Sequence, residues 1–111
     1  MRLLFPSKGL GHLDDQIARA FGAADIFVIA EVEEGKVKRK EVYPNTVQDI
    51  DPGFEEETAM KAVSDRKVDA VIARDISDTD RKVLEMAGVT VVAGYNMTIR
   101  QAIKKYLESV K

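Results

Sequence analysis

The sequence contains no cysteine. That gap removes disulfide bracing, the usual support of small secreted domains. It also removes thiolate catalysis, zinc ribbons and cysteine-held iron–sulfur clusters within this chain. Tryptophan is absent and histidine occurs once, as His12. No charge of one sign dominates: 17 basic against 19 acidic residues leave a formal charge of −2. That balance argues against a broad electrostatic footprint for DNA or RNA, while leaving a small local cluster of positive charge open. Long apolar runs are missing too. The opening stretch from Met1 to Phe5 halts at Pro6, too short for a signal peptide, and nothing later approaches a membrane-spanning length. The expected address is the cytoplasm, with neither membrane nor nucleic acid as a partner.

What is present is the composition of a folded globular protein, 45% hydrophobic and 32% charged over 111 residues. Residues 1–111 are expected to form a single domain. Leu3-Leu4-Phe5 reads as a buried first strand, followed by a glycine-rich loop from Pro6 to His12. Leu13, Ile17 and Phe21 recur at helical spacing, and Gly22 would end that helix. Asp25–Val32 and Val37–Val42 read as the arms of a hairpin turning at Glu33-Glu34-Gly35-Lys36, the second arm charged as an edge strand should be.

The stretch from Tyr43 to Gly53 is turn-rich and long for a connection. Asp51-Pro52 would open a helix carrying Ala59, Ala62 and Val63 on its apolar stripe. Val68–Ala73 and Val89–Ala93 read as strands. Ser77 with Asp80, and Thr98 with Gln101, have the spacing that starts helices. The pattern implies an α/β fold, a mixed five-stranded sheet with helices on both faces.

In such sheets ligands collect beyond the carboxyl ends of the parallel strands. Three loops leave those ends: Pro6–His12, with Ser7 and Lys8; Arg74–Ser77; and Gly94–Thr98, with Asn96 and Met97. Helix starts and the cations Lys8 and Arg74, with Arg100 in a first helical turn, favour an anionic ligand there. Each residue also has a plainer role. His12 is either a ligand or an exposed loop residue, and Met97 either a soft metal ligand or core filler. Ser77 and Thr98 suit caps better than nucleophiles. Gly9 and Gly11 lack the Gly-Lys-Ser/Thr ending of a phosphate loop. Arg74 follows an apolar strand, where a cation has no packing task, although a surface salt bridge would also account for it.

Four stretches, in order, give the chain a family likeness: FPSKG at 5–9, FGAADIFVI at 21–29, VDAVIARDIS at 68–77 and GVTVVAGYNMTIRQAI at 88–103. In these the chain resembles the dinitrogenase iron–molybdenum cofactor biosynthesis family over nearly its whole length. It departs from the family pattern at Ala20, at Arg74-Asp75 and at Tyr95-Asn96-Met97. The resemblance implies a ribonuclease-H-like three-layer architecture without nuclease activity. It also implies a non-catalytic role in binding or carrying an iron–molybdenum or iron–sulfur type cluster, transiently and alongside cofactor-assembly proteins. Ser7, Lys8, His12, Arg74, Asn96 and Thr98 are then the expected cofactor contacts, with His12 and Met97 the expected metal ligands. Two other readings stand beside this one. The first is a regulatory or interaction module binding a protein or a small anion. The second is a metal-dependent hydrolase acting through Asp75 or Asp78, against which the first strand offers no carboxylate.

Overall fold

The computed structural model describes residues 1–45 and 67–109. Five strands form one sheet: β1 (Arg2–Ser7), β2 (Ile26–Glu33), β3 (Lys36–Pro44), β4 (Ala70–Ile72) and β5 (Thr90–Val92). The order is β3-β2-β1-β4-β5, with β1 antiparallel to β2 and β2 to β3. β4 runs parallel to both β1 and β5. The two α-helices among the described residues are α1 (Asp78–Met86) and α2 (Ile99–Ser109).

The alternation of side chains along each strand sorts the core into two sheet faces. Leu3, Phe5, Val28, Ala30, Ala70 and Ile72 point to the face covered by Ile99, Ala102, Ile103 and Tyr106 of α2. Leu4, Phe27, Ile29 and Val71 point to the other, covered by Leu84 of α1 with Phe21 and Val89. The helices therefore lie on opposite faces. Leu3, Leu4 and Phe5 are fully buried, which is why β1 reads as an unbroken apolar run rather than an alternating one.

The hairpin turns where the sequence indicates. Glu34 at φ 53° and Gly35 at φ 77° supply two successive positive φ angles, the backbone that a two-residue loop between twisted strands requires. A register shift between Glu31 and Val32 bends the pair there. At the amino-terminal end of β1, Arg2 ties the three antiparallel strands together, reaching Glu41 at 2.7 Å and Glu31 at 3.3 Å. The Arg2 hydrogen bond, followed by that from the Tyr43 hydroxyl, holds the Glu41 carboxyl below its ordinary pKa.

One expected element is corrected. Residues 13–21 form no helix; a short 3₁₀ turn covers only Phe21–Ala23. The segment instead lies across the end of the sheet, with isolated bridges from Ile17 to Ser7 and from Gln16 to Thr98. Its N–H groups bond away from the segment, Ile17 to Met97 O at 3.0 Å and Ala18 to Pro6 O at 2.8 Å. The apolar spacing is satisfied on two sides: Leu13 and Ile17 join the core beneath α2, while Ala18 and Phe21 join the core on the α1 face. The helix expected after Asp51-Pro52, and most of the turn-rich stretch before it, lie outside the described residues.

Candidate functional site at the carboxyl ends of the parallel strands

Strands β1, β4 and β5 release three loops at the same end of the sheet, and backbone hydrogen bonds lace these together. Gly94 N–H donates to Arg74 O at 2.9 Å and Tyr95 N–H to Ala73 O at 3.2 Å. The crossing segment joins them on either side, through Phe21 N–H to Asp75 O at 2.9 Å and Ile17 N–H to Met97 O. The expected meeting of the three loops is thus what the topology builds, with residues 13–21 threaded between them.

The first loop is organised by a residue the sequence reading passed over. The Asp15 carboxylate turns back into the glycine loop, where its Oδ2 accepts the Ser7 hydroxyl at 2.9 Å and the Gly11 N–H at 2.8 Å. Gly9 N–H in turn donates to Ser7 Oγ at 2.9 Å. Burial alone would raise the Asp15 pKa. Donation from Gly11, Ser7, Leu10 and His12 outweighs that and lowers it. The glycines here are demanded by space. A Cβ on Gly9 would come within 2.6 Å of the Asp15 carboxylate atoms, and one on Gly11, at φ +96°, within 2.7 Å of Val42 Cγ2. The sequence shows an aspartate four residues beyond a Gly-x-Gly turn, but not which way its carboxylate faces.

The start of α2 is closed in a similar way. Thr98 and Gln101 exchange reciprocal bonds, Gln101 N–H to Thr98 Oγ1 at 3.2 Å and Thr98 N–H to Gln101 Oε1 at 3.1 Å, as their spacing indicates. Ile99 N–H donates to Asp15 O at 2.9 Å and Arg100 N–H to Leu13 O at 2.8 Å. The N–H groups that would attract an anion at a helix start are therefore engaged by the chain's own oxygens. At α1, Ser77 Oγ accepts from Asp80 N–H at 3.1 Å and is a cap.

Of the expected contacts, Ser7 is fully buried and bound to Asp15, and Thr98 caps α2. Lys8, His12 and Asn96 are exposed, and Arg74 is half-buried. No ion pair among the described residues involves Arg74. Met97 is partly buried against the core beneath α2. Gly94 has φ +87° and open space where a Cβ would stand. The accessible side chains on these loops are thus two cations, an imidazole and an amide, with the Met97 thioether partly buried beside them. Among the described residues no three His, Asp or Glu side chains converge as a metal cage. A tightly chelated resident ion does not fit this set.

A family model described as dinitrogenase iron-molybdenum cofactor matches residues 1–109. An uncharacterised protein of Methanocaldococcus jannaschii is 27% identical over 95 residues, spanning 86% of this chain and 80% of its own. The apo form of the orange protein from Desulfovibrio gigas superposes with a TM-score of 0.85 at 21% identity, covering 97% of this chain and 88% of its own, a likeness of fold. A Thermotoga protein described as a candidate NifB protein gives a TM-score of 0.76 at 29% identity, over 96% of this chain and 87% of its own.

Proposed function

The chain belongs to the dinitrogenase iron-molybdenum cofactor family, and on that premise we propose that it is a non-catalytic protein that binds and hands on an anionic metal cofactor of the iron–molybdenum or iron–sulfur type. The observation that carries this reading is the family match across residues 1–109. The geometry supports where the cargo would rest: against Lys8, His12, Arg74, Asn96 and Met97, on the rim above the Asp15-bound loop. Ser7 and Thr98 contribute by holding the rim in shape. We take the sheet order as that of a ribonuclease-H-like fold, in which a nuclease would need carboxylates at the end of β1. Here the apolar body of that strand is Leu3-Leu4-Phe5 and its carboxyl end is Pro6-Ser7. One imidazole, one thioether and two cations give exchangeable holding, which suits a protein that must release what it binds.

The test is anaerobic incubation with iron–sulfur and molybdenum–iron–sulfur clusters, followed by gel filtration with metal analysis and visible absorbance. Stoichiometric retention, weakened in His12→Ala and Arg74→Ala, supports the proposal. Failure to retain any cluster contradicts it, and a regulatory module binding a protein or small anion takes its place.

A further inference from the structure

Next to the strand-end rim, and meeting it at His12, two adjoining hollows of about 420 and 690 Å³ lie between the hairpin and α2 and share Leu13, Val37 and Arg100. Their floor is apolar. Ile103 and the partly buried Leu13, Val37 and Leu107 belong to or pack against the core on that face. Their walls are cationic. Lys36, Lys38, Arg39 and Lys40 come from β3, with Arg39 paired to Glu41 at 3.1 Å; Arg100 and Lys104 come from α2, and His12 closes one end. Among the described residues the acidic ones lining them are Asp14 and Glu108, and Asp14 is engaged by Arg100 at 2.9 Å. Six of the 17 basic residues of a chain of net charge −2 thus line one apolar channel.

The β3 lysines have an ordinary explanation, since lysines on an edge strand discourage pairing with other chains. That explanation does not reach Arg100 and Lys104, which stand on a helix and face the same channel. Nor does it explain why the register brings Lys40 opposite Ala30, and Val37 opposite Val32, on the side that α2 covers.

We infer that this channel docks an acidic segment of a partner protein, its carboxylates meeting the β3 and α2 cations while its apolar side chains settle on Leu13, Val37, Ile103 and Leu107. Charge complementarity selects the partner and sets its rate of encounter, and the apolar floor holds it. The inference rests on the channel's composition; the channel shares His12 with the strand-end rim, and the variants that test it lie outside that rim.

The probe is a fluorescent synthetic peptide in which glutamates alternate with leucine and valine, titrated into the full chain by anisotropy and mapped by amide NMR shifts. The expected result is saturable binding with shifts at Val37–Lys40 and along α2. Lys38→Glu with Lys104→Glu is expected to weaken it by about tenfold or more, and Leu107→Ser to weaken it at unchanged charge. Both changes are on the surface or near it, and thermal unfolding verifies that the variants fold. An all-glutamate peptide binding equally well would overturn the inference by removing any use for the floor. So would shifts lying elsewhere, or a preference for a single-stranded oligonucleotide or an anionic vesicle.

Discussion

The loop after β1 and the loops after β4 and β5 leave the same end of the sheet but are built to opposite ends. In the first, Ser7, Gly9 and Gly11 direct their hydrogen bonds inward, onto Asp15 or one another. In the other two, backbone bonds at Arg74 O and Ala73 O fix the path, while the Asn96 side chain stays exposed and Arg74 half-exposed. An internal carboxylate makes the first loop a fixed support that supplies its own anion. Recognition is then left to side chains on a rim that the support holds still. On the proposed carrier reading, side chains held by such a frame lose little entropy on binding, which favours affinity for what they hold.

The sharpest way to break that contrast is Asp15→Ala. It leaves the buried Ser7 hydroxyl and the Gly11 N–H without their charged acceptor, and should lower stability by about 2–3 kcal/mol in denaturant unfolding. The pH dependence sharpens the same point. Because the folded pKa of Asp15 is lowered, its stabilisation is fully present above the unfolded aspartate value. It is lost as pH falls through the folded value. Wild type should therefore lose stability more steeply on acidification than Asp15→Asn. Equal slopes would show that the carboxylate does not brace the loop.

Thr98→Ala comes next. It removes one half of the reciprocal cap at α2 and should cost about 1 kcal/mol, measured by thermal or denaturant unfolding. Cluster retention should fall less than in His12→Ala or Arg74→Ala, since Thr98 shapes the rim without touching the cargo. The smallest effect is expected for Asp14→Ala. Both partners of its ion pair with Arg100 are largely exposed, at 77% and 62%, so the stability change should stay within about 0.5 kcal/mol. A loss comparable to that at Asp15 would mean that the outer side of this corner matters as much as the inner one.

Much of the sheet was legible because its signals are short-range. Leu3-Leu4-Phe5 has no polar face to misplace, Glu34-Gly35 makes the hairpin turn, and the Thr98/Gln101 spacing is realised atom for atom as a reciprocal cap. The stretch from Leu13 to Phe21 was not legible, because its apolar spacing suits a helix equally well. The decision was made by partners distant in sequence, Met97 O and Thr98 above all, which no local window contains. Of the site, the three loops could be named from their strands. The closing of Ser7 onto Asp15 could not, since a carboxylate four residues past a glycine turn looks the same whether it faces solvent or the loop. The gathering of cations along the channel likewise depends on the pairing of β3 and on how α2 crosses it.

The most direct test of the central claim is an amide NMR titration of the full chain with a molybdenum–iron–sulfur cluster under anaerobic conditions. The account predicts that signals of Lys8, His12, Arg74, Asn96 and Met97 move or broaden, while the amides of Gly9, Gly11, Ile99 and Arg100 keep their shifts and their protection from exchange. Displacement of those inner amides, with the exposed rim undisturbed, would contradict it: the cluster would then have replaced the Asp15 carboxylate, and the first loop's backbone rather than its exposed side chains would be the ligand site.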